Sequence, residues 1–177
     1  GSALSRDVAE FIDGLGITLE SQESWNIAFE FWLSQRDPVS DPNPGVYAEI
    51  LGMWGWQNGR WACGDDGNPN QNEYQGMTVT AGDKSYDLCH QSDTWADGQW
   101  RYFQFRMQGG PAQSFSGRVD IKAFLDWVVS TRGYSRDLWV TRMEVGSEID
   151  DNTRGTVTVR GVTFEVNGQS RSIRLAE

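Results

Sequence analysis

Three glutamates stand in segments that otherwise read as apolar strands. Glu30 lies within AFEFW, Glu49 within YAEIL, and Glu148 follows MEVGS. Glu144 joins them, because Arg142, Glu144, Gly146 and Glu148 share a face at a spacing of two. A carboxylate among such neighbours is costly to desolvate, and it is kept there when it is paired or has a task. If these faces line one groove, burial and like charge raise one pKa and leave another low. A protonated acid beside a carboxylate is what cleavage of a glycosidic bond requires. The competing reading is structural: solvated acids paired with Arg101, Arg106 or Arg142.

Tryptophan supplies the second signal. The chain has nine of them, whereas ordinary cores draw first on Leu, Ile and Val. An excess of Trp suits a surface that stacks on flat rings. Trp32, Trp54, Trp56, Trp95 and Trp100 are the candidate sugar platforms, and each could equally fill the core. Metal chemistry is not expected. One His (His90) and two Cys make a poor ligand set, and no spacing matches a zinc site. No organic cofactor is expected either. Cys63 and Cys89 either pair in an oxidising compartment or stay as two buried thiols.

Strands must position these residues. Trp25–Ser34 alternates, with Ile27, Phe29, Phe31 and Leu33 on one face and Asn26, Ala28, Glu30 and Trp32 on the other. Residues 36–45 carry three prolines and read as a loop. The next strand, 46–56, places Tyr47, Glu49, Leu51 and Met53 on one face. Residues 58–72 are rich in Gly, Asn and Asp and read as a long loop. A hairpin follows over 75–80 and 84–90, then strands at 99–107, 138–146 and 156–166, with weaker ones at 17–20 and 172–175. Only residues 120–133 break the pattern. Ile121, Phe124, Leu125 and Val128 repeat at helical spacing, Asp120 suits the N-cap, and Gly133 suits the position after the helix. The expected architecture is all-β: a two-sheet antiparallel β-sandwich with one helix on its convex face.

Length and charge narrow the function. At 177 residues the chain reads as a single domain, 1–177, in which residues 1–3 resemble a cloning remnant and a natural leader is expected upstream. Its formal charge of −10 argues against nucleic acid, whose phosphates need Lys and Arg clusters. No segment reaches the about 18 apolar residues of a membrane span. A neutral glycan tolerates the acidity, and a secreted monomer acting on polysaccharide fits best.

Several of these segments, taken in order, resemble glycoside hydrolase family 12, small endo-β-1,4-glucanases and xyloglucanases with a β-jelly-roll fold. The likeness runs from about Ser24 to Val166. It rests on AFEFWLS, DPNPG, VYAEIL, FSG at 115–117, DIKAFLDWV at 120–128, GY at 133–134 and VGSE at 145–148. The resemblance implies Glu49 as nucleophile and Glu148 as general acid/base, with Glu30 where the family usually has a supporting Asp. It implies retaining hydrolysis of a β-1,4-linked glucan-type polysaccharide, with Glu144 and the five tryptophans toward substrate. The chain departs from the family in three places. Leu51 replaces Met and Trp54 is shifted by one; Ile149-Asp150 follows the acid/base in place of Pro-Phe; and the N-terminal part is short. Two rivals share the sandwich: a binding module or lectin without the acid pair, and a polysaccharide lyase. The lyase would want Tyr, His and Arg in an electropositive groove, which one His and the negative charge oppose.

Overall fold

The computed structural model describes residues 8–19, 25–57, 76–94, 98–112, 114–149 and 155–174. Ten strands and one helix follow in the order β1 (Val8–Leu19), β2 (Trp25–Ser34), β3 (Ala48–Gln57), β4 (Thr78–Ala81), β5 (Lys84–Thr94), β6 (Trp100–Met107), β7 (Ser114–Val119), α1 (Ile121–Arg132), β8 (Trp139–Ile149), β9 (Gly155–Val166) and β10 (Gln169–Arg174). They form a four-stranded sheet, β10-β9-β1-β7, and a six-stranded sheet, β4-β5-β6-β3-β2-β8. Pairing is antiparallel throughout except between β3 and β6, which run parallel. The two sheets are thus mainly antiparallel, as expected.

The alternation of β2 sorts the molecule into two sides. Ile27, Phe29, Phe31 and Leu33 are buried in the core, as the period of two requires. Ile50 and Trp54 of β3, Tyr86 and Leu88 of β5, and Phe103 and Phe105 of β6 meet them there. Phe115 and Val119 of the smaller sheet join the same core. Phe124 of α1 packs edge-on against Phe29, Tyr86 and Phe105, with ring centroids 5.1–5.3 Å apart. The helix therefore covers the core face of the six-stranded sheet and leaves its other face open. Gly52 is required by this packing: a Cβ there would lie 2.1 Å from the Phe29 ring.

The helix spans 121–132 and buries Ile121, Phe124, Leu125 and Val128, the expected stripe. Gly133 ends it in the left-handed conformation. Asp120 holds the N-cap position with extended dihedrals, yet its side chain makes no capping hydrogen bond. One other expectation changes. The strand expected over 17–20 extends from Val8 to Leu19, because it pairs with β9 along its whole length. The FSG segment at 115–117 lies in β7 and pairs with β1. The loop over 58–72 lies outside the described residues. Among those described, no helix is long and apolar enough to cross a membrane.

Candidate active site

The open face of the six-stranded sheet is set by strand register. Residues directly opposite one another in a ladder point to the same side. On β2, Trp32 faces Glu49 of β3 and Arg142 of β8, while Glu30 faces Leu51 and Glu144. Farther along, Ala28 faces Met53 and Gly146, and Asn26 faces Trp56 and Glu148. All four glutamates therefore open on one face, with β2 running between the strand of Glu49 and the strand of Glu144 and Glu148. Beneath them Ala28, Leu51, Met53, Cys89 and Tyr102 form a second, smaller apolar cluster, with Trp56 packed on it.

A cleft of about 140 Å³ runs between β2 and β8. Ala28 and Gly146 lie mid-way along it, Glu30 and Glu144 at one end, and Asn26 and Glu148 at the other. The hollow exists because the two mid-way positions are small. A Cβ on Gly146 would meet nothing within 4 Å.

Electrostatics separate the acids. Burial, a hydrogen bond to Glu49 and the charges of Glu49, Glu148 and Glu144 push Glu30 up to about 10. Glu30 thus keeps its proton at neutral pH and donates it to Glu49. Glu49 is buried, at 8% exposure, and its Oε2 also accepts from the Trp100 indole N–H at 2.6 Å. Tyr102 is held well above its ordinary value by burial and by the charges of Glu49, Glu148 and Glu30, so it stays a phenol. The charges of Glu49 and Glu148 thus converge on both Glu30 and Tyr102. Glu148 is gripped at both ends by buried Asn26: Nδ2 donates to Glu148 Oε2 at 2.5 Å, and Asn26 Oδ1 accepts from the Glu148 backbone N–H at 3.1 Å. Glu144 is paired with Arg142, whose guanidinium sits 5.1 Å from the Trp32 ring centroid. The structural reading of the acids thus holds for Glu144. For Glu30 it fails, because its partner is another carboxyl.

The candidate tryptophans divide. Trp32 and Trp56 are half-buried on the open face. Trp54 is a core residue, fully buried, stacked on Phe115 at 4.4 Å and donating to the Tyr86 hydroxyl at 3.0 Å. Alternation from Glu49 is the cause: Leu51 and Met53 share the face of Glu49, and Trp54 falls on the other. Past it the register shifts, since Ala28 pairs with Met53 but Ile27 with Gly55, and this bulge brings Trp56 onto the open face opposite Asn26. Trp100 is half-buried and committed to Glu49. Trp95 lies outside the described residues. Cys89 is disulfide-bonded; Cys63, the chain's only other cysteine, also lies outside them. Among the described residues no cluster of His, Cys, Asp and Glu is arranged to hold a metal ion.

Asn26 and Tyr102 belong to the site, and sequence reasoning did not single them out. Asn26 was legible in part, since it shares the period-two face of Glu30. Tyr102 lies fifty-odd residues away and enters only through the β3–β6 pairing.

No family model matches the chain, and no curated protein sequence matches it. Solved structures do. A native family 12 xyloglucanase from Bacillus licheniformis superposes with a TM-score of 0.61 at 17% identity, covering 98% of this chain and 66% of its own. The endoglucanase of Rhodothermus marinus gives 0.57 at 23% identity, covering 86% and 62%. Endoglucanase 3 of Trichoderma harzianum, from family GH12, gives 0.63 at 18%, covering 91% and 63%. The chain has the family 12 glycoside hydrolase fold. It spans slightly under two thirds of the length of these structures.

Proposed function

We propose that this chain is an endo-acting glycoside hydrolase that cleaves β-1,4-linked glucan-type polysaccharide with retention of configuration. The observation that carries the reading is the Glu30–Glu49 pair, a protonated carboxyl donating to a buried carboxylate, with Glu148 on the same open face beside a cleft. The family 12 fold supports it, and the structures it resembles are named as xyloglucanases and endoglucanases.

In this mechanism the Glu49 carboxylate attacks the anomeric carbon and forms a glycosyl-enzyme. Glu148 first protonates the leaving oxygen and then takes a proton from the incoming water. Asn26 orients Glu148 through its two hydrogen bonds. Glu30 holds Glu49 by donation without adding charge. Trp32 and Trp56 offer half-buried ring faces on the same open face for sugar stacking. The bonded Cys89 fits a secreted enzyme. We read it as a monomer.

The test is a screen on several β-glucans, xyloglucan and mannan, with analysis of the products. Internal cuts that release oligosaccharides are expected, and proton NMR of the first product should show the retained anomer. Changing Glu49→Gln should lower turnover by about three orders of magnitude or more, while the fold survives. Changing Glu148→Gln should be severe on polysaccharide and milder on substrates with good leaving groups, which need little protonation. Binding without release of reducing sugar would replace this reading with that of a binding module. Near-normal turnover by Glu49→Gln would remove Glu49 from its role.

A further inference from the structure

Trp100 makes a contact that a sugar platform would not need. It opens β6, and its indole N–H ends 2.6 Å from Oε2 of Glu49. The parallel pairing sets Glu49 beside Tyr102, and Trp100 lies two residues before Tyr102, on the same face. The indole thus approaches Glu49 from β6, while Glu30 approaches from β2 on the other side of β3. Glu49 is held between two donors of different kinds.

An indole N–H only donates. It therefore favours the ionised form of the carboxyl it touches and does nothing for the protonated form. In a coupled pair of carboxyls, the proton settles on the one whose ionised form is less well solvated. We propose that Trp100 is a positioning residue: its N–H fixes the Glu49 carboxylate and keeps the proton of the Glu30–Glu49 pair on Glu30. The contact stands on the geometry alone, and its catalytic meaning rests on reading Glu49 as the nucleophile.

Other charged groups face the pair. Glu30 comes from β2, and Glu144, Glu148 and Arg142 come from β8. Arg142 is already engaged by Glu144. Tyr102 on β6 stays neutral, and His90 on β5, in register with Gln104, lies on the far side of Tyr102. From the β6 side the indole N–H donates to Glu49.

Two measurements test this. The first needs no activity. In a 1H–15N spectrum the Trp100 indole resonance, assigned by its absence from Trp100→Phe or through side-chain correlations, should lie downfield, where donation to a carboxylate places it. In Glu49→Gln, which exchanges the charged acceptor for a neutral one, it should move upfield. A Trp100 resonance unmoved in Glu49→Gln would overturn the proposal. The second measurement is kinetic. Trp100→Phe should lower kcat about ten- to a hundredfold, the range for a lost hydrogen bond to a charged group, with KM nearly unchanged. The acidic limb of kcat/KM should move up by about one pH unit or more. Trp100→His, which keeps a ring N–H at similar reach, should recover part of both. A raised KM with kcat and the acidic limb unchanged would make Trp100 a sugar platform and overturn the proposal. Failure of the wild-type protein to cut any glycan would sink the hydrolase reading, while the indole resonance in Glu49→Gln would still decide the contact.

Discussion

At neutral pH Glu30 carries a proton that an exposed glutamate would have lost, and this has a consequence for stability. Its value is pushed from 4.5 to about 10, by burial first and then by Glu49. Below 4.5 the folded and unfolded chains both hold the proton, so Glu30 costs nothing. Between 4.5 and about 10 the unfolded chain releases it and the folded chain keeps it. The unfolded state then binds fewer protons, so stability falls as pH rises through that window. Glu30→Gln keeps a donor toward Glu49 and removes the titration. The melting-temperature difference between Glu30→Gln and wild type should be small near pH 4 and grow in favour of the variant toward pH 9. A gap that stays flat with pH would mean that Glu30 ionises in the fold.

Two strands, β2 and β3, carry the site on one face and the core on the other, so each is constrained on both sides. Gly52 is where the constraint is tightest. Its Cα partner across the ladder is Phe29, whose ring covers the space a side chain would take. Gly52→Ala forces Phe29 off its position, at a cost of about 1–3 kcal/mol for overpacking. The urea midpoint should fall accordingly with an unchanged slope. Since Leu51 is the next residue and faces Glu30, a displaced β3 would also disturb the acid pair, and activity should fall with stability. An unchanged midpoint would show that Phe29 has room to move. The same strand contains the bulge that brings Trp56 onto the open face. There a local insertion, with no change of residue type, gives the groove an aromatic that alternation alone would send to the core side.

The whole molecule is two stacked sheets with β8 at one border of the larger sheet, and the site lies close to that border. Glu144 and Glu148 both sit on β8. The disulfide at Cys89 joins the opposite side, since Cys89 on β5 belongs to the apolar cluster beneath the acids. Thiol titration of the denatured, unreduced protein should find no free thiol. Two reactive thiols would place Cys63 and Cys89 apart.

Much of this was legible in the sequence. The period of two in WNIAFEFWLS assigned each β2 residue to a face, because a strand has only two faces and burial of one fixes the other. The helix at 121–132 was legible for the same kind of reason, since its stripe and the glycine that ends it are local. Local pattern could not say which strands lie side by side. That β2 separates β3 from β8, so that Glu30 meets both Glu49 and Glu144, is a matter of register, in the case of β8 with a segment over a hundred residues away. The parallel placement of β6 against β3, which brings Trp100 to Glu49, depends on the course of the chain through β4 and β5. Trp56 reads as a core-side residue by strict alternation from Glu49, and only a bulge formed against β2 turns it onto the open face. Sequence determined the faces, because side-chain direction is a local property of the backbone; tertiary structure decided the neighbours, because pairing is settled by which long-range contacts bury the most apolar surface together.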